Sequence, residues 1–227
     1  MPAELPRRMG TAAALLAGFA VVGAAMVAYT WQSTHERIAA NERAVLLRSL
    51  AQVLPPPLRS EGLAREPLQV TDPELLGTED PVPVYRAWQD GRPVAVVVSP
   101  VAPDGYSGPI RLLVGILPDG TVSGVRVVSH RETPGLGDKI EAERSDWILD
   151  FAGRSLGAPP EEDWTVKRDG GAFDQFTGAT ITPRAVVKAV RNALLYFEAH
   201  RDQLLSASAA PASPAGTEQD TLGDATP

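Results

Sequence analysis

The feature that most constrains this chain is a stretch without a single charged side chain, which runs from Met9 through Thr34. It consists mainly of Ala, Val, Leu, Gly and Phe. At about 1.5 Å per helical residue, it is long enough to cross the roughly 30 Å hydrocarbon core of a bilayer. Tyr29 and Trp31 stand at its far end, where aromatic side chains are enriched at membrane interfaces. The stretch therefore predicts a transmembrane helix over residues 10–31.

A cleaved signal peptide is the alternative interpretation of this stretch. Its apolar region would span only about 7 to 15 residues before a small-x-small cleavage site, and Val22-Gly23-Ala24 matches such a site poorly. We therefore expect a retained, single-pass anchor. Because Arg7 and Arg8 precede the helix and no clear positive excess follows it, the positive-inside rule predicts that residues 1–9 are cytoplasmic. The main domain would then lie in the periplasm, at a bacterial inner membrane.

Charge and cysteine content exclude several classes of function. The 227 residues carry 21 Lys and Arg against 28 Asp and Glu, a net charge of −7, which is the wrong sign for binding nucleic acid through its phosphates. Because the chain has no cysteine, thiolate zinc sites, iron–sulfur clusters and cysteinyl flavin links are excluded. With three histidines, a histidine metal centre is also not expected. We predict no metal site and no nucleic-acid partner.

Proline and small residues divide the chain beyond the anchor. Residues 32–54 have a helical pattern that stops at three consecutive prolines, and residues 58–82 are polar with little periodicity. Residues 32–82 are therefore predicted to form a helical stalk and a connection. Residues 83–205 combine strand-like and amphipathic stretches and predict one α+β domain. Residues 206–227, rich in Ser, Ala, Pro, Gly and Thr, predict a disordered tail.

Within the domain the pattern predicts strands joined by tight turns, followed by helices. The Asp119-Gly120 pair between two β-rich runs favours a hairpin. Asp138 followed by Glu141 resembles a capping box, which predicts a helix that ends near Phe151. The clearest helix has Thr182 as its N-cap and Pro183 as its first residue. The predicted strands cover residues 84–88, 94–98, 111–117, 121–129 and, more briefly, 164–167.

The stretch with the most chemical information is Asp174-Gln175-Phe176-Thr177-Gly178-Ala179-Thr180-Ile181-Thr182-Pro183. It places a turn of small residues directly before a helix, where free backbone N–H groups and the helix dipole attract a phosphate. Threonine hydroxyls lie at three positions of the stretch. On these physical grounds alone an ordinary helix cap is the competing interpretation.

The same stretch resembles the flavinylation motif Asp-x-x-(Ser/Thr)-Gly-Ala-Thr of the FMN-binding domain family, and every specified position is met. The resemblance implies FMN attached through a phosphoester bond to Thr180 by a dedicated flavin transferase that takes FMN from FAD. It implies that Asp174 is recognised by that transferase and its metal. Thr177, Gly178 and Ala179 match the turn of the motif.

Two further blocks strengthen the resemblance. Residues 132–137, with Glu132, Thr133, Gly135 and Leu136, are similar to the family's Glu-Thr-Pro-Gly-Leu-Gly loop, and residues 105–110 resemble its Gly-Tyr-x-Gly-x-Ile element. The blocks cover about residues 100–195, and together with one N-terminal anchor they resemble the G subunits of Rnf electron transport complexes. The C subunits of sodium-translocating NADH:quinone reductases are the close relatives that remain open.

The resemblance implies an electron-relay subunit of a six-subunit membrane complex that couples electron transfer between ferredoxin and NAD to ion translocation. The chain would be one part of a translocase, and no acid–base catalytic residue is predicted in it. Two other functions remain open: an independent periplasmic FMN-dependent reductase, and an anchored assembly or sensor domain without the cofactor. Intact Thr180 and Asp174 argue against the second of these.

Local chemistry agrees with a cofactor loop at residues 132–137. Pro134 and Gly135 suit the central positions of a type II turn, and Leu136 offers an apolar surface to a flat ring. Glu132 is predicted either to hydrogen-bond the flavin or to cap the loop. The remaining candidates have simpler interpretations: His130 as structural, Trp147 and Trp164 as packing residues, and Arg184 and Lys188 as either screening the phosphate or merely solvated.

Overall fold

A computed structural model describes residues 4–58 and 67–206, and the predicted tail at 207–227 lies outside the described residues. The chain divides into two compact units, one up to Leu46 and one from Leu47 onward. The first unit is part of a single long helix, α1, which spans Glu4–Val53. Within the described residues, Leu16–Thr34 is the one helical stretch long and apolar enough to cross a membrane. It overlaps the predicted span at residues 10–31.

The second unit is an α+β domain, as the sequence predicts. In its described residues the sheet has six strands, and the longest helix comes last in the chain. The elements are β1 (Leu68–Val70), α2 (Pro73–Leu76), β2 (Val82–Gln89), β3 (Arg92–Val98), β4 (Val101–Ala102), β5 (Ile110–Ile116), β6 (Val122–Ser129) and α3 (Ile181–Leu204). Short 3₁₀ helices lie at Pro56–Leu58, Gly137–Ile140, Asp146–Phe151, Glu161–Asp163 and Lys167–Asp169.

The sheet is an antiparallel meander. β1 pairs with β2 and β2 with β3, and then β3 and β4 pair with successive parts of the same edge of β5. β6 pairs with the other edge of β5. The strands predicted at residues 84–88, 94–98, 111–117 and 121–129 are therefore confirmed as β2, β3, β5 and β6.

Asp-Gly pairs close two of the hairpins. Asp119-Gly120 joins β5 to β6, with Gly120 at φ +84° and the side chain of Asp119 accepting a 3.0 Å hydrogen bond from Thr121 N. This backbone donor lowers the pKa of the exposed Asp119 carboxyl group. Asp90-Gly91 joins β2 to β3 with positive φ at both residues, which is the requirement of a type I′ turn.

One face of the sheet forms the main core with α3. Alternation along β3 and β5 directs one set of side chains toward this core, and apolar residues of α3 at helical spacing complete it. The set includes Val96, Val98, Leu112 and Val114 from the strands, Val186, Val190, Ala193 and Phe197 from α3, and an aromatic group of Trp147, Phe151, Trp164, Phe173 and Phe176. Trp147 and Trp164 are thus packing residues, as predicted.

The end of α1 packs on the domain at a pair of glycines, which we call the glycine slot: Gly115 of β5 and its cross-strand partner Gly124 of β6. A Cβ atom at Gly115 would lie 2.5 Å from the carbonyl oxygen of Val53, and one at Gly124 would lie 3.1 Å from the Cα of Val53. The hydroxyl of Ser123 donates a 2.6 Å hydrogen bond to the same carbonyl. The last turn of α1, with Leu50 and Val53 fully buried, is therefore part of the domain's packing.

The prediction of one helix from Asp138 to Phe151 is wrong. The structure has two 3₁₀ helices there, Gly137–Ile140 and Asp146–Phe151, and the chain restarts at Ser145, whose Oγ accepts from Trp147 N. Asp138 lies inside the first of these helices, whose N-cap is Leu136, so it does not occupy the predicted cap position. The two short helices bury the apolar residues Ile140, Trp147, Ile148 and Phe151.

Two other segments also differ from expectation. The strand predicted at residues 164–167 is wrong: Val166 makes only an isolated bridge with Phe173, and a 3₁₀ turn follows at Lys167–Asp169. Trp164 and Val166 alternate like strand residues because both are buried. The polar connection predicted at residues 58–82 contains β1 and α2, elements too short to produce a periodic pattern.

Candidate cofactor site

An open cavity of about 320 Å³ lies at the N-terminus of α3. Its volume is at the lower end of the range that small-molecule sites occupy. Three separate segments meet there, and they correspond to the three motif blocks of the sequence. The lining residues are Tyr106, Glu132, Thr133, Leu136, Gly137, Gly178, Ala179, Thr180, Ile181 and Thr182.

The first wall is a tight turn over residues 176–179. Ala179 N donates a 3.1 Å hydrogen bond to the carbonyl of Phe176, and Gly178 between them has φ +84°. A positive φ at the third turn position is the mark of a type II turn and favours glycine. Thr177 occupies the second position and does not line the cavity. Its side chain therefore belongs to the turn rather than to the cavity wall.

Aromatic packing supports this turn. The ring of Phe176 meets that of Trp147 edge to face, with centroids 5.1 Å apart. The indole N–H of Trp147 donates a 2.8 Å hydrogen bond to the carbonyl oxygen of Asp174. Because Trp147 also packs against Phe151, the turn rests on the core and is held in a defined position before α3.

Thr180 occupies the N-cap position of α3 but does not cap the helix with its side chain. The first helical residue is Ile181, so the predicted N-cap at Thr182 and first residue at Pro183 are wrong by two positions. The N–H groups of Ile181 and Thr182 lack helical partners by position. A partly buried hydroxyl without a capping bond therefore stands beside backbone donors at the positive end of a helix of 24 residues.

The opposite wall is the loop that follows β6. Leu136 N donates a 3.1 Å hydrogen bond to the carbonyl of Thr133, and Gly135 has φ +79°, as expected for the predicted type II turn. Leu136 is thereby turned toward the first wall: its Cδ2 would lie 3.6 Å from a Cβ built on Gly178. The two turns thus face one another across the cavity.

Glu132 joins the three segments. The side chain is only 4% exposed. One of its oxygens accepts from Ser107 N at 3.0 Å, and the other accepts from the hydroxyl of the fully buried Thr182. Cβ atoms at Gly105 and Gly137 would lie within 3.0 Å of Glu132, so both glycines leave room for it. Since the Thr182 hydroxyl is donated to Glu132, it does not serve as the predicted cap.

Exposed apolar side chains surround the opening. Tyr106 is 67% exposed, Ile181 45% and Leu136 43%, and all three line the cavity. Large apolar groups left in solvent around a concave site are typical of ligand-binding surfaces. Together with the polar groups deeper in the cavity, they form a site that is apolar at its mouth and polar near the N-terminus of α3.

Of the predicted site residues, the structure brings six to the cavity: Glu132, Thr133, Leu136, Gly178, Ala179 and Thr180. Gly135 and Thr177 shape the two turns instead. No role in the site was predicted for the side chains of Tyr106, Ile181 or Thr182. The Gly-Tyr-x-Gly-x-Ile block pointed to the Tyr106 segment, whereas nothing in the pattern distinguishes Thr182 from a helix cap.

The charged candidates lie outside the cavity lining. Asp174 is 61% exposed and forms a 2.7 Å ion pair with Lys167. Arg184 makes two hydrogen bonds to Asp169, of 2.7 and 3.0 Å, which lower the pKa of the Asp169 carboxyl group and raise that of the guanidinium. Lys188 pairs with Asp104 at 2.7 Å. The structure therefore favours solvated surface pairing over phosphate screening for Arg184 and Lys188.

Among residues 4–58 and 67–206, no group of three or more His, Asp or Glu side chains has a metal-binding arrangement.

Comparisons with known proteins match two parts of the chain. The family model described as the FMN-binding domain matches residues 105–195, and the family model described as the RnfG N-terminal region matches residues 1–53. A protein of Pseudomonas aeruginosa (strain UCBPP-PA14), named as the G subunit of an ion-translocating oxidoreductase complex, is 48% identical over 96% of this chain and 100% of its own length. Proteins of the same name from Vibrio cholerae (strain O395, Classical Ogawa) and Shewanella baltica (strain OS223) are 50% and 47% identical, over 84% and 85% of this chain and 90% and 91% of theirs.

The chain belongs to the family of G subunits of ion-translocating oxidoreductase complexes. The FMN-binding domain match contains all three segments that line the cavity, so FMN is the cofactor of this domain. The cavity also fits that assignment physically, because a threonine at a helix N-terminus has no cap hydrogen bond from its side chain, and the mouth of the cavity is apolar. The N-terminal match ends at Val53, the last residue of α1.

Proposed function

We propose that this protein relays electrons within a membrane-bound, ion-translocating oxidoreductase complex of the ferredoxin/NAD type, through FMN attached to Thr180 as a phosphoester. The observation that carries the proposal is the position of Thr180 at the start of α3, inside the cavity and without a side-chain cap bond. FMN supplies one- or two-electron redox chemistry, and the protein supplies attachment, ring environment and position.

The residues around Thr180 suit the parts of the cofactor differently. Backbone N–H groups at the beginning of α3 donate to the phosphate and help balance its charge, since no cationic side chain among the described residues lines the cavity. Leu136, Ile181 and Tyr106 give the ring an apolar surface. Glu132 would offer its carboxylate as an acceptor to hydrogen-bond donors of the cofactor rather than to the phosphate, because a carboxylate and a phosphate repel each other.

Installation of FMN is assigned to a flavin transferase that recognises Asp174. The exposed carboxylate, paired with an exposed Lys167, lies on the outer surface of the turn and is available to another protein. Asp174→Asn keeps the size and local hydrogen-bonding ability of the side chain but removes its charge. We expect a folded variant that carries little FMN after coexpression with the transferase. Normal loading, measured by flavin absorbance per chain, would show that the charge is not required.

The topology follows from the apolar helix and the charges before it. We propose a single pass through the bacterial inner membrane, residues 1–9 in the cytoplasm and the FMN-binding domain in the periplasm. A reporter active only in the periplasm, fused after residue 205, is expected to be active. Activity of a cytoplasm-specific reporter at the same position would contradict this orientation.

Two alternatives are distinguished by their partners. The names of the relatives support membership of an ion-translocating oxidoreductase complex over a role like that of the C subunits of sodium-translocating NADH:quinone reductases. An independent periplasmic reductase would turn over a diffusible substrate without other subunits. Reductase assays on the purified chain, compared with the assembled complex, separate the relay from the reductase.

Attachment is tested on the full chain in detergent after coexpression with the transferase. Flavin fluorescence of the denatured gel band is expected for the wild type and is expected to be absent in Thr180→Val, which keeps the size of the side chain but removes the hydroxyl. Thr177→Val is the matched control, because its side chain lies in the turn and outside the cavity lining. Fluorescence that survives in Thr180→Val would overturn the attachment site.

A further inference from the structure

His130 occupies the first position after β6, where the chain enters the loop that forms one wall of the cavity. Its side chain is largely buried and contacts two partners on opposite sides. Nδ1 lies 3.0 Å from the backbone nitrogen of Glu132, and Nε2 lies 2.7 Å from Oε1 of Glu141. The imidazole thus connects Glu132, in the cavity loop, to Glu141, the residue that follows the 3₁₀ helix Gly137–Ile140.

The two contacts determine the protonation pattern of the ring. A backbone N–H can only donate, so Nδ1 of His130 must present its lone pair to Glu132. The proton of the neutral imidazole then resides on Nε2 and is donated to the carboxylate of Glu141. Arg144 approaches the other oxygen of Glu141, with its Nε at 3.7 Å, and is equally close to Asp138. Glu141 therefore contacts the ring through one oxygen and the largely exposed Arg144 through the other.

This arrangement reaches the cavity through Glu132. The backbone of Glu132 is held by His130, while its carboxylate is held by Ser107 N and by the hydroxyl of Thr182. Because the carboxylate is buried and has both oxygens engaged, a shift of the Glu132 backbone must also change its bonds to the Ser107 and Thr182 segments. Those segments, at Tyr106 and at the start of α3, are the other walls of the cavity.

We infer that His130 is a positioning residue of the cofactor site: its Nδ1 fixes the Glu132 backbone and thereby sets the acceptor that the cavity presents to the cofactor. The inference rests on the proposed function for its effect on FMN. The hydrogen bond between His130 and Glu132 is independent of it. The chain offers a sharp test, since asparagine and glutamine each reproduce one half of the imidazole.

His130→Asn places an oxygen where Nδ1 lies, and asparagine side chains readily accept from the N–H two residues later. His130→Gln instead places its amide near the position of Nε2, within reach of Glu141 but not of the Glu132 N–H. Arg131→Gln, at an exposed neighbour in the same loop, is the control for altered loop charge. All are made in the full chain, with and without coexpressed transferase.

Hydrogen exchange at the Glu132 amide is measured first, on chains without FMN. We expect His130→Gln to exchange roughly two- to twelvefold faster than wild type, which is the range for loss of one such hydrogen bond. His130→Asn and Arg131→Gln are expected to match the wild type. On flavin-loaded chains, His130→Gln should alter the visible circular dichroism and the midpoint potential of the bound flavin, and His130→Asn should retain both.

Wild-type exchange and flavin spectra in His130→Gln would overturn the inference. Equal impairment of His130→Asn and His130→Gln, including equal loss of folding, would also overturn it, because His130 would then be a structural residue only. A wild-type chain that carries no FMN would contradict the proposed function, yet the exchange comparison would still decide whether His130 holds Glu132.

Discussion

The glycine slot and the cofactor cavity use the same residue type for opposite purposes. At the slot, the space that a Cβ would need at Gly115 is taken by the backbone of Val53, at 2.5 Å. In the cavity, a Cβ at Gly178 would meet nothing closer than Leu136, at 3.6 Å. The glycines of the slot make room for the end of α1, whereas Gly178 allows a tight turn and leaves the space beside it open.

The difference shows how a missing side chain separates a packing site from a binding site. Protein interiors are close-packed, so a glycine whose space is filled by backbone contributes to the fold. A glycine required by a positive φ, with open space beside it and apolar side chains left in solvent, marks a place that a ligand completes. Substitutions at the two places should therefore separate stability from cofactor attachment.

The largest expected effect is on stability, at the glycine slot. Gly115→Val would force its side chain against the carbonyl of Val53 and the hydroxyl of Ser123. Overpacking of this kind should lower the free energy of unfolding by about 3 kcal/mol, measured by denaturant titration of the full chain in detergent. Gly157→Ala is the control, because a Cβ there meets nothing within 4 Å. Unchanged stability in Gly115→Val would contradict the docking of the α1 end.

Glu132→Ala is expected to have the next largest effect, and on both properties. It leaves the N–H of Ser107 and the buried hydroxyl of Thr182 without their acceptor, which should cost about 2 kcal/mol of stability. We also expect a changed visible spectrum of the bound flavin, because Glu132 lines the cavity. The exposed Glu143→Ala serves as the control for loss of one carboxylate. A flavin spectrum identical to wild type would place the cofactor away from Glu132.

Gly178→Ala should affect attachment more than stability. Its positive φ makes alanine unfavourable by about 1 kcal/mol, but there is no close contact to relieve. We expect a small loss of stability and slower loading of FMN by the transferase, because the turn that presents Thr180 is strained. A loading time course after mixing with the transferase and FAD measures this. Loading at the wild-type rate would show that the turn conformation is not limiting.

Arg184→Gln is expected to have the smallest effect. The Arg184 hydrogen bonds lower the pKa of Asp169, so their contribution is present above the ordinary Asp pKa and is lost as pH falls through the lowered value. The pair lies at the surface and is screened by solvent, so near neutral pH the denaturation midpoint should hardly change, and any difference should vanish in acid. Flavin loading should be unaffected. Reduced loading would instead support phosphate screening by Arg184.

Much of the fold followed from local signals. Asp119-Gly120 between β-rich runs predicted the β5–β6 hairpin, and the apolar spacing of α3 predicted its buried face. The segment from Asp138 to Phe151 misled because capping-type residues and apolar spacing also fit two 3₁₀ turns. The conformation of this segment depends on the partners of its polar residues. Those partners, such as His130 for Glu141, come from elsewhere in the chain.

The site was predictable to the extent that its residues were consecutive. The Gly178 turn and Thr180 lie within one short motif directly before α3, so their position at a helix N-terminus could be inferred from the chain. The Gly135 turn was linked to them only through the family resemblance. Thr182 could not be assigned, since its hydroxyl looks like a cap and instead bonds Glu132, 50 residues away. Likewise, no local pattern shows that the Gly115–Gly124 pair receives Val53.

The most direct test of the account is the identity of the flavin-bearing residue. Trypsin should release residues 169–184 as one peptide, which contains Thr177, Thr180 and Thr182. Fragmentation of this peptide from the full chain, coexpressed with the transferase, should locate the mass of FMN less water on Thr180 alone. Flavin on Thr177 or Thr182, or an unmodified peptide beside flavin that dissociates on denaturation, would contradict the account.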